Sequence, residues 1–205
     1  MTDAPAQPPA RDLLTRFRDR EIVHPASREA WRAWLAEHHA SSPGVWLARW
    51  PRDTGSPSLD YEAIVEEALC FGWIDGQLVK LPDGRRAHRL TPRSRRSGWS
   101  RSNRERVERL TAEGLMTDAG RAVVADAQAR GTWLSQEAAE NLEEPMALTA
   151  ALDANARARA GWDAYPASLR RGLIWWVTSA KRDETRTRRI GRITGLAERG
   201  ERPNF

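Results

Sequence analysis

The densest run of chemistry-bearing side chains lies between Tyr61 and Arg106. It reads Tyr-Glu-Ala-Ile-Val-Glu-Glu-Ala-Leu-Cys-Phe-Gly-Trp-Ile-Asp-Gly from Tyr61 to Gly76, then Arg89-Leu90-Thr91-Pro92-Arg93, then Ser97-Gly98-Trp99-Ser100 and Asn103. Guanidinium groups make charge-assisted, bidentate contacts with carboxylates and phosphates. A positioned carboxylate transfers protons. Glu62 and Glu66 are four residues apart and share a helix face. Asp75 is expected in a tight turn between Gly72 and Gly76. Ser97, Ser100 and Asn103 cluster where a helix begins, and free N–H groups at such an end favour anions. Glu66, Trp73, Asp75, Arg89, Arg93, Trp99, Ser100 and Asn103 are therefore expected to form a concave ligand-binding site. Five of them also have a plainer role: Ser100 and Asn103 as caps, Asp75 as a turn residue, Trp73 and Trp99 as core.

Other chemistries have weaker signals. Cys70 is the single cysteine and follows an apolar helical stripe, where a buried, inert thiol is the usual state. It forms no intramolecular disulfide. His24, His38, His39 and His88 are scattered, although a hairpin after Cys70 can bring His88 back toward it. His38 and His39 beside Glu37 point about 100° apart on a helix and chelate poorly, so no metal is expected. No phosphate loop or dinucleotide fingerprint is present, and no cofactor is expected.

These residues need positioning. Glu21–His24 is a short strand candidate. Ser27 caps a helix from Arg28 to about His39, with Trp31, Trp34 and Leu35 on one face. Val45–Trp50 alternates as a strand, and residues 51–59 are a Pro/Gly/Ser loop. Asp60 caps a helix from Tyr61 to Phe71 that Gly72 ends. Gly76–Leu81 and Arg86–Thr91 form a hairpin through Pro82-Asp83-Gly84. An Arg/Ser loop, 92–99, leads to a helix from Ser100 to about Gly114. Thr117 caps another to about Arg130, ended by Gly131. After residue 145 the pattern is helical: roughly 146–152, 153–162, 166–180 and 183–199, with breaks at Gly161 and Tyr165-Pro166. The expected fold is α+β. A disordered tail, 1–19, precedes an α+β domain, 20–131, whose small antiparallel sheet is flanked by helices. An acidic connector, 132–145, then leads to an all-helical C-terminal module, 146–205.

The 205 residues carry a net charge of +5 with ten tryptophans, apolar surface enough for a folded core. Residues 85–109 hold ten basic and two acidic residues, and residues 170–205 hold ten and four, while the other two stretches are net acidic. Only Lys80 and Lys181 of the 33 basic residues are lysines. Such arginine blocks, 85–109 and 181–192, suit a nucleic-acid-binding module, with Trp99 able to stack on a base. Glu105 and Glu108 interrupt the first block. No apolar run reaches the roughly 20 residues of a membrane span. The start, MTDAPAQPPARD, lacks a secretory signal, so a cytoplasmic location is expected. The apolar run Leu173-Ile174-Trp175-Trp176-Val177 exceeds one helix face. It reads as packing between helices, or as a partner or membrane-surface contact.

The phrase ALCFGWIDG, followed by RLTPRSRRSGWSRSNRERVERLTAEGLMTDAG, resembles the YdeI/OmpD-associated family, often labelled bacteriocin-protection proteins. The tail LRRGLIWWVTSAKRDETRTRRIGRITGLAERG is similar to that family's C-terminal helical module. The resemblance spans about residues 20–200 and implies an α+β part, a helical part and a role in bacterial stress or peptide-antibiotic protection. It implies no agreed reaction, ligand or catalytic residues. Asp75, Arg89, Pro92, Arg93, Ser97, Trp99, Ser100 and Asn103 carry the polar part of the pattern. Arg95-Arg96 departs from it, since relatives are expected to hold a lysine there.

Three functions follow as expectations. The first is a protection-type protein binding a small anionic or peptide ligand in a Trp/Arg/Asp pocket. The second is an enzyme using that pocket, with Asp75 or Glu66 as acid/base. The third is the nucleic-acid module. No oligomeric state is read from the sequence.

Overall fold

The computed structural model describes residues 14–51 and 58–203. The expected tail is thus outside the described residues over 1–13, and so is most of the expected loop, over 52–57. The chain divides into two compact units, 1–97 with 102–131, and 98–101 with 132–205.

The first unit is built on five strands in the order β1-β2-β3-β5-β4. They are β1 (Arg16–Phe17), β2 (Arg20–Val23), β3 (Val45–Arg49), β4 (Trp73–Lys80) and β5 (Arg86–Pro92). Two expectations need correction here. Part of the tail, Arg16–Phe17, is a strand paired with β2. The sheet is also not wholly antiparallel, because β2 and β3 run parallel. The helix α1 (Arg28–His38) between them is a crossover, as parallel neighbours require.

Helix α1 starts where Ser27 Oγ accepts the Ala30 N–H at 3.2 Å. It buries Trp31 and Leu35; burying Leu35 is worth about 1.5–3 kcal/mol. Trp31 Nε1 donates to the Ile64 carbonyl at 3.2 Å, fixing α1 to α2 (Tyr61–Cys70). Asp60 caps α2 through the Glu62 N–H at 2.8 Å. Gly72 ends the helical stretch at φ +74, where a side chain would be strained. Helices α3 (Arg101–Ala112) and α4 (Asp118–Ala129) follow. Thr117 caps α4 and donates its hydroxyl to the Cys70 carbonyl at 2.6 Å, so one residue starts α4 and satisfies the end of α2. The hairpin turn is as expected: Asp83 accepts the Arg85 N–H at 3.1 Å, and Arg85 Nη2 reaches Asp83 at 2.7 Å and the Leu14 carbonyl at 2.8 Å.

The sheet has two distinct faces. Cross-strand partners share a face, so Val45 and Leu47 lie with Leu90 and His88. Asp75, opposite Leu90, joins them. Trp46 and Ala48 lie on the other face with Arg89 and Ala87, forming a small core with Ile22 and Leu81.

The second unit contains α5 (Glu137–Glu140), α6 (Met146–Asp153), α7 (Ala156–Asp163), α8 (Ala167–Thr178) and α9 (Asp183–Glu198). The acidic connector thus contains a helical turn, α5. Its core includes Leu148, Leu152, Trp162, Leu173, Ile174 and Ile193. Gly161 does not break the chain but sits inside α7, where a Cβ would stand 1.9 Å from the Ala197 carbonyl. The glycine is there to let α7 and α9 touch. Glu144 ties α7 down, accepting from Arg159 at 2.7 and 2.9 Å and from Trp162 Nε1 at 2.7 Å. Among the described residues, no helix is long and apolar enough to cross a membrane.

Candidate functional site in the first unit

Helix α2 carries three acidic side chains. Glu66 and Glu67 are almost fully buried. Arg28 reaches Glu66 at 2.8 Å and Glu67 at 2.6 Å, and Arg32 reaches Glu67 at 2.7 Å. Arg109 closes the other side of Glu66. Both Glu66 oxygens are held by guanidinium groups. That arrangement locks α1 and α3 onto α2, since removing one partner of a buried pair leaves a costly unpaired charge. Glu66 thereby anchors α1 and α3 to α2.

One helical turn earlier the arrangement changes. Glu62 forms a bidentate pair with Arg106, at 2.7 and 2.9 Å, which holds its carboxyl below the ordinary range. Arg106 also donates to the Asn103 side chain at 3.1 Å. Tyr61, at the start of α2, donates its hydroxyl to Asp75 Oδ2 at 2.7 Å. Burial first, then this bond, pushes the Tyr61 phenol up to about 12. Asp75 is not in a turn: it lies in β4, just before a register shift that ends at Leu78.

Arg93 follows β5, and its N–H donates to the Gly72 carbonyl at 3.0 Å. Burial lowers its guanidinium to about 10, against the opposing pull of Asp75. His88 packs its ring 5.1 Å from Tyr61. Burial, then Arg49, lowers its imidazole, and Asp75 opposes. The neutral imidazole is therefore the form present near neutral pH.

Of the eight expected site residues, six lie in the first unit and two, Trp99 and Ser100, in the second. Asp75, Arg93 and Asn103 share one neighbourhood in this unit through Tyr61 and Arg106. Arg89 is exposed and lies on the opposite face of the sheet from Asp75, paired with Trp46. Trp73 is core: its Nε1 donates to the His39 carbonyl at 3.1 Å and its ring meets Trp34 edge-on at 5.9 Å. Trp99 and Ser100 belong to the second unit, where Trp99 is buried with its ring 4.8 Å from Trp133. Tyr61, His88 and Arg49 stand outside the eight expected site residues, His88 being weighed only as a partner for Cys70. The alternation of Val45, Leu47 and Arg49 against His88 and Leu90 is the signal that could have found the last two.

Several arginines of the two blocks are held within their own unit. Arg85, Arg106 and Arg109 pair with Asp83, Glu62 and Glu66. Arg186 pairs with Asp183, and Arg189 lies 5.0 Å over the Trp176 ring while bonding the Trp176 carbonyl. Among the described residues, no three His, Cys, Asp or Glu side chains group to hold a metal ion. Cys70 is fully buried, and burial followed by Glu67 holds its thiol above the ordinary value.

Two family models match the chain. Residues 23–123 match a domain of unknown function (DUF8412). Residues 141–200 match the family described as Bacteriocin-protection, YdeI or OmpD-Associated. The FGWIDG and TPR segments lie in the first match, and the tail from Leu169 to Gly200 lies wholly in the second. No curated protein and no solved structure matches.

Proposed function

We propose a protection-type protein, from the match of residues 141–200 to the family described as Bacteriocin-protection, YdeI or OmpD-Associated. It works by binding a small anionic or peptide ligand on the first unit. The binding groups are Asp75, Arg93 and Asn103, with Tyr61 and Arg106 holding them. The observation that carries this reading is that Asp75, held by the Tyr61 hydroxyl at 2.7 Å, acts electrostatically on a largely buried arginine, Arg93. A cation and an anion within electrostatic reach of each other suit a ligand bearing charge or peptide groups. An acid/base role for Glu66 is disfavoured by its two arginine partners.

The test is calorimetric titration of the full chain with acetate, inorganic phosphate, tetra-alanine and tetra-aspartate. At least one of these binds, and Arg93→Met weakens it by about tenfold or more, equal to about 1.4 kcal/mol. The melting temperature changes little, because Asp75 keeps the bond from the Tyr61 hydroxyl when Arg93 is replaced. A large drop in melting temperature with no Arg93-dependent binding would mean that Arg93 and Asp75 are only a structural pair.

A further inference from the structure

The second unit carries a basic surface that the ligand reading of the first unit does not use. Residues 181–192 hold six basic side chains and two acidic ones, and five of the six are arginines. Arg186 is taken up by Asp183. Lys181, Arg182 and Arg188 are exposed and, among the described residues, form no ion pair. Arg192 is exposed too, one helical turn after Arg188 on the same side of α9. Helix α8 brings an aromatic ring to this side. Arg189 and Arg192 each place a guanidinium over Trp176, 5.0 and 5.9 Å from the ring centroid. Arg189 also donates to the Trp176 carbonyl and, at 3.2 Å, to the Ser179 hydroxyl, which ties α9 to α8. The indole is only partly buried. Side chains of a helix lean toward its N-terminus, which carries the indole over the turn that holds Gly172. Gly172 is exposed, and a Cβ there would meet nothing within 4 Å. Open space thus flanks the ring.

We propose that Trp176, Arg188, Arg189 and Arg192, beside the open space at Gly172, bind single-stranded nucleic acid. Guanidinium groups take phosphate oxygens bidentately. An unpaired base stacks on an indole or on a guanidinium plane. The two requirements meet here, because a half-exposed ring and a row of arginines occupy one side of one helix pair. A duplex keeps its bases stacked on each other and offers none to the ring. A membrane surface calls for exposed apolar side chains beside the basic ones. Among the described residues the exposed large apolar side chains are Tyr61, Leu78, Leu134 and Met146, none of them on α8 or α9. An acidic protein surface would satisfy the arginines and leave the indole and the space beside it unused.

The experiment is fluorescence anisotropy of a fluorescein-labelled oligo(dT) of about 15 nucleotides, titrated with the full chain. Binding is saturable at micromolar protein, and about tenfold tighter than to an abasic strand of the same length and charge, as expected of stacking one base. Polyglutamate does not compete. Raising salt from about 50 to about 200 mM weakens binding about twentyfold, the dependence expected when three arginines neutralise three phosphates of a single strand. Arg188→Gln combined with Arg192→Gln weakens binding by about tenfold or more. Trp176 packs against the core of its unit, so its replacement could unfold that unit. Gly172→Glu serves in its place. It sets a carboxylate in open space beside the indole, leaves the melting temperature unchanged or higher, and abolishes binding. No saturable binding, an abasic strand bound as tightly as oligo(dT), competition by polyglutamate, or full binding in either variant overturns the proposal. Binding of phosphatidylglycerol vesicles without binding of oligo(dT) overturns it as well and assigns the surface to a membrane.

Discussion

The Tyr61 hydroxyl and Asp75 Oδ2 lie 2.7 Å apart, joining the first turn of α2 to β4 across the sheet face that also carries His88. The bond links the residue whose ring packs on His88 to the carboxylate that acts electrostatically on Arg93. Because the neutral phenol is the form favoured in the fold, Tyr61 ionises only at about 12.

That value gives a direct measurement. The chain has two tyrosines, and burial raises Tyr165 too. Absorbance titration at alkaline pH should show no phenolate step at the ordinary value of 10 while the chain is folded, and Tyr61→Phe should remove the later one. A raised pKa stabilises the fold fully below 10, the unfolded value, and this contribution fades as pH rises through about 12. A Tyr61 step near 10 in the native protein would show that the bond to Asp75 is not made in solution.

Cys70 gives a second prediction. Its thiol is fully buried, and burial followed by Glu67 raises its pKa, with Arg32 opposing. The reactive thiolate is therefore scarce at neutral pH. Labelling by a disulfide reagent should be slow in the native chain and fast in denaturant. Fast native labelling at pH 7 would restore Cys70 as a candidate nucleophile.

The sequence disclosed local structure better than it disclosed which residues meet. Ser27, Asp60 and Thr117 cap helices because each has a short oxygen acceptor at a chain reversal, and the Pro-Asp-Gly turn encodes its own hairpin. Pairings between distant segments carry no such local mark. Asp75 reads as a turn residue because glycines flank it at 72 and 76, yet Gly72 ends a helix and Gly76 falls in the strand irregularity between Asp75 and Leu78. Reading β4 from Gly76 leaves Asp75 off the strand, and the face it shares with Leu90 goes unseen. Grouping Arg89 with Asp75 in one site fails for the same reason, because alternation in β5 sends Arg89 to the opposite face. The parallel pairing of β2 with β3 was also missed, although a strand, a helix and a strand in succession is the pattern such a pair needs.

Glu144 tests the second unit. Its pair with Arg159, then the Trp162 bond, lowers its carboxyl below the ordinary 4.5. A depressed pKa stabilises the fold above 4.5 and is lost as pH falls through the folded value. Glu144→Gln should cost about 1–3 kcal/mol at pH 7, since Arg159 and Trp162 lose a charged acceptor. Thermal melts of the two proteins should converge as pH falls below 4.5. A gap that stays constant into acid would assign the loss to packing instead of charge.

The last prediction uses two glycines of the second unit with opposite surroundings. Gly161 lies in α7, and a methyl there would stand 1.9 Å from the Ala197 carbonyl of α9. The obstacle is backbone, so a rotamer change cannot relieve it, and the helices must separate. Overpacking of this kind costs about 1–3 kcal/mol or more. Gly172 lies in α8, where a Cβ meets nothing within 4 Å. Neither glycine has the positive φ that would penalise alanine by itself. Gly172→Ala should therefore stabilise by up to about 1 kcal/mol, the helix-interior difference between the two residues. Gly161→Ala should instead lower the melting temperature of the unit it belongs to. Calorimetry on the two variants reads the contrast directly. Equal stabilisation by both would mean that α7 and α9 do not pack through Gly161 and Ala197.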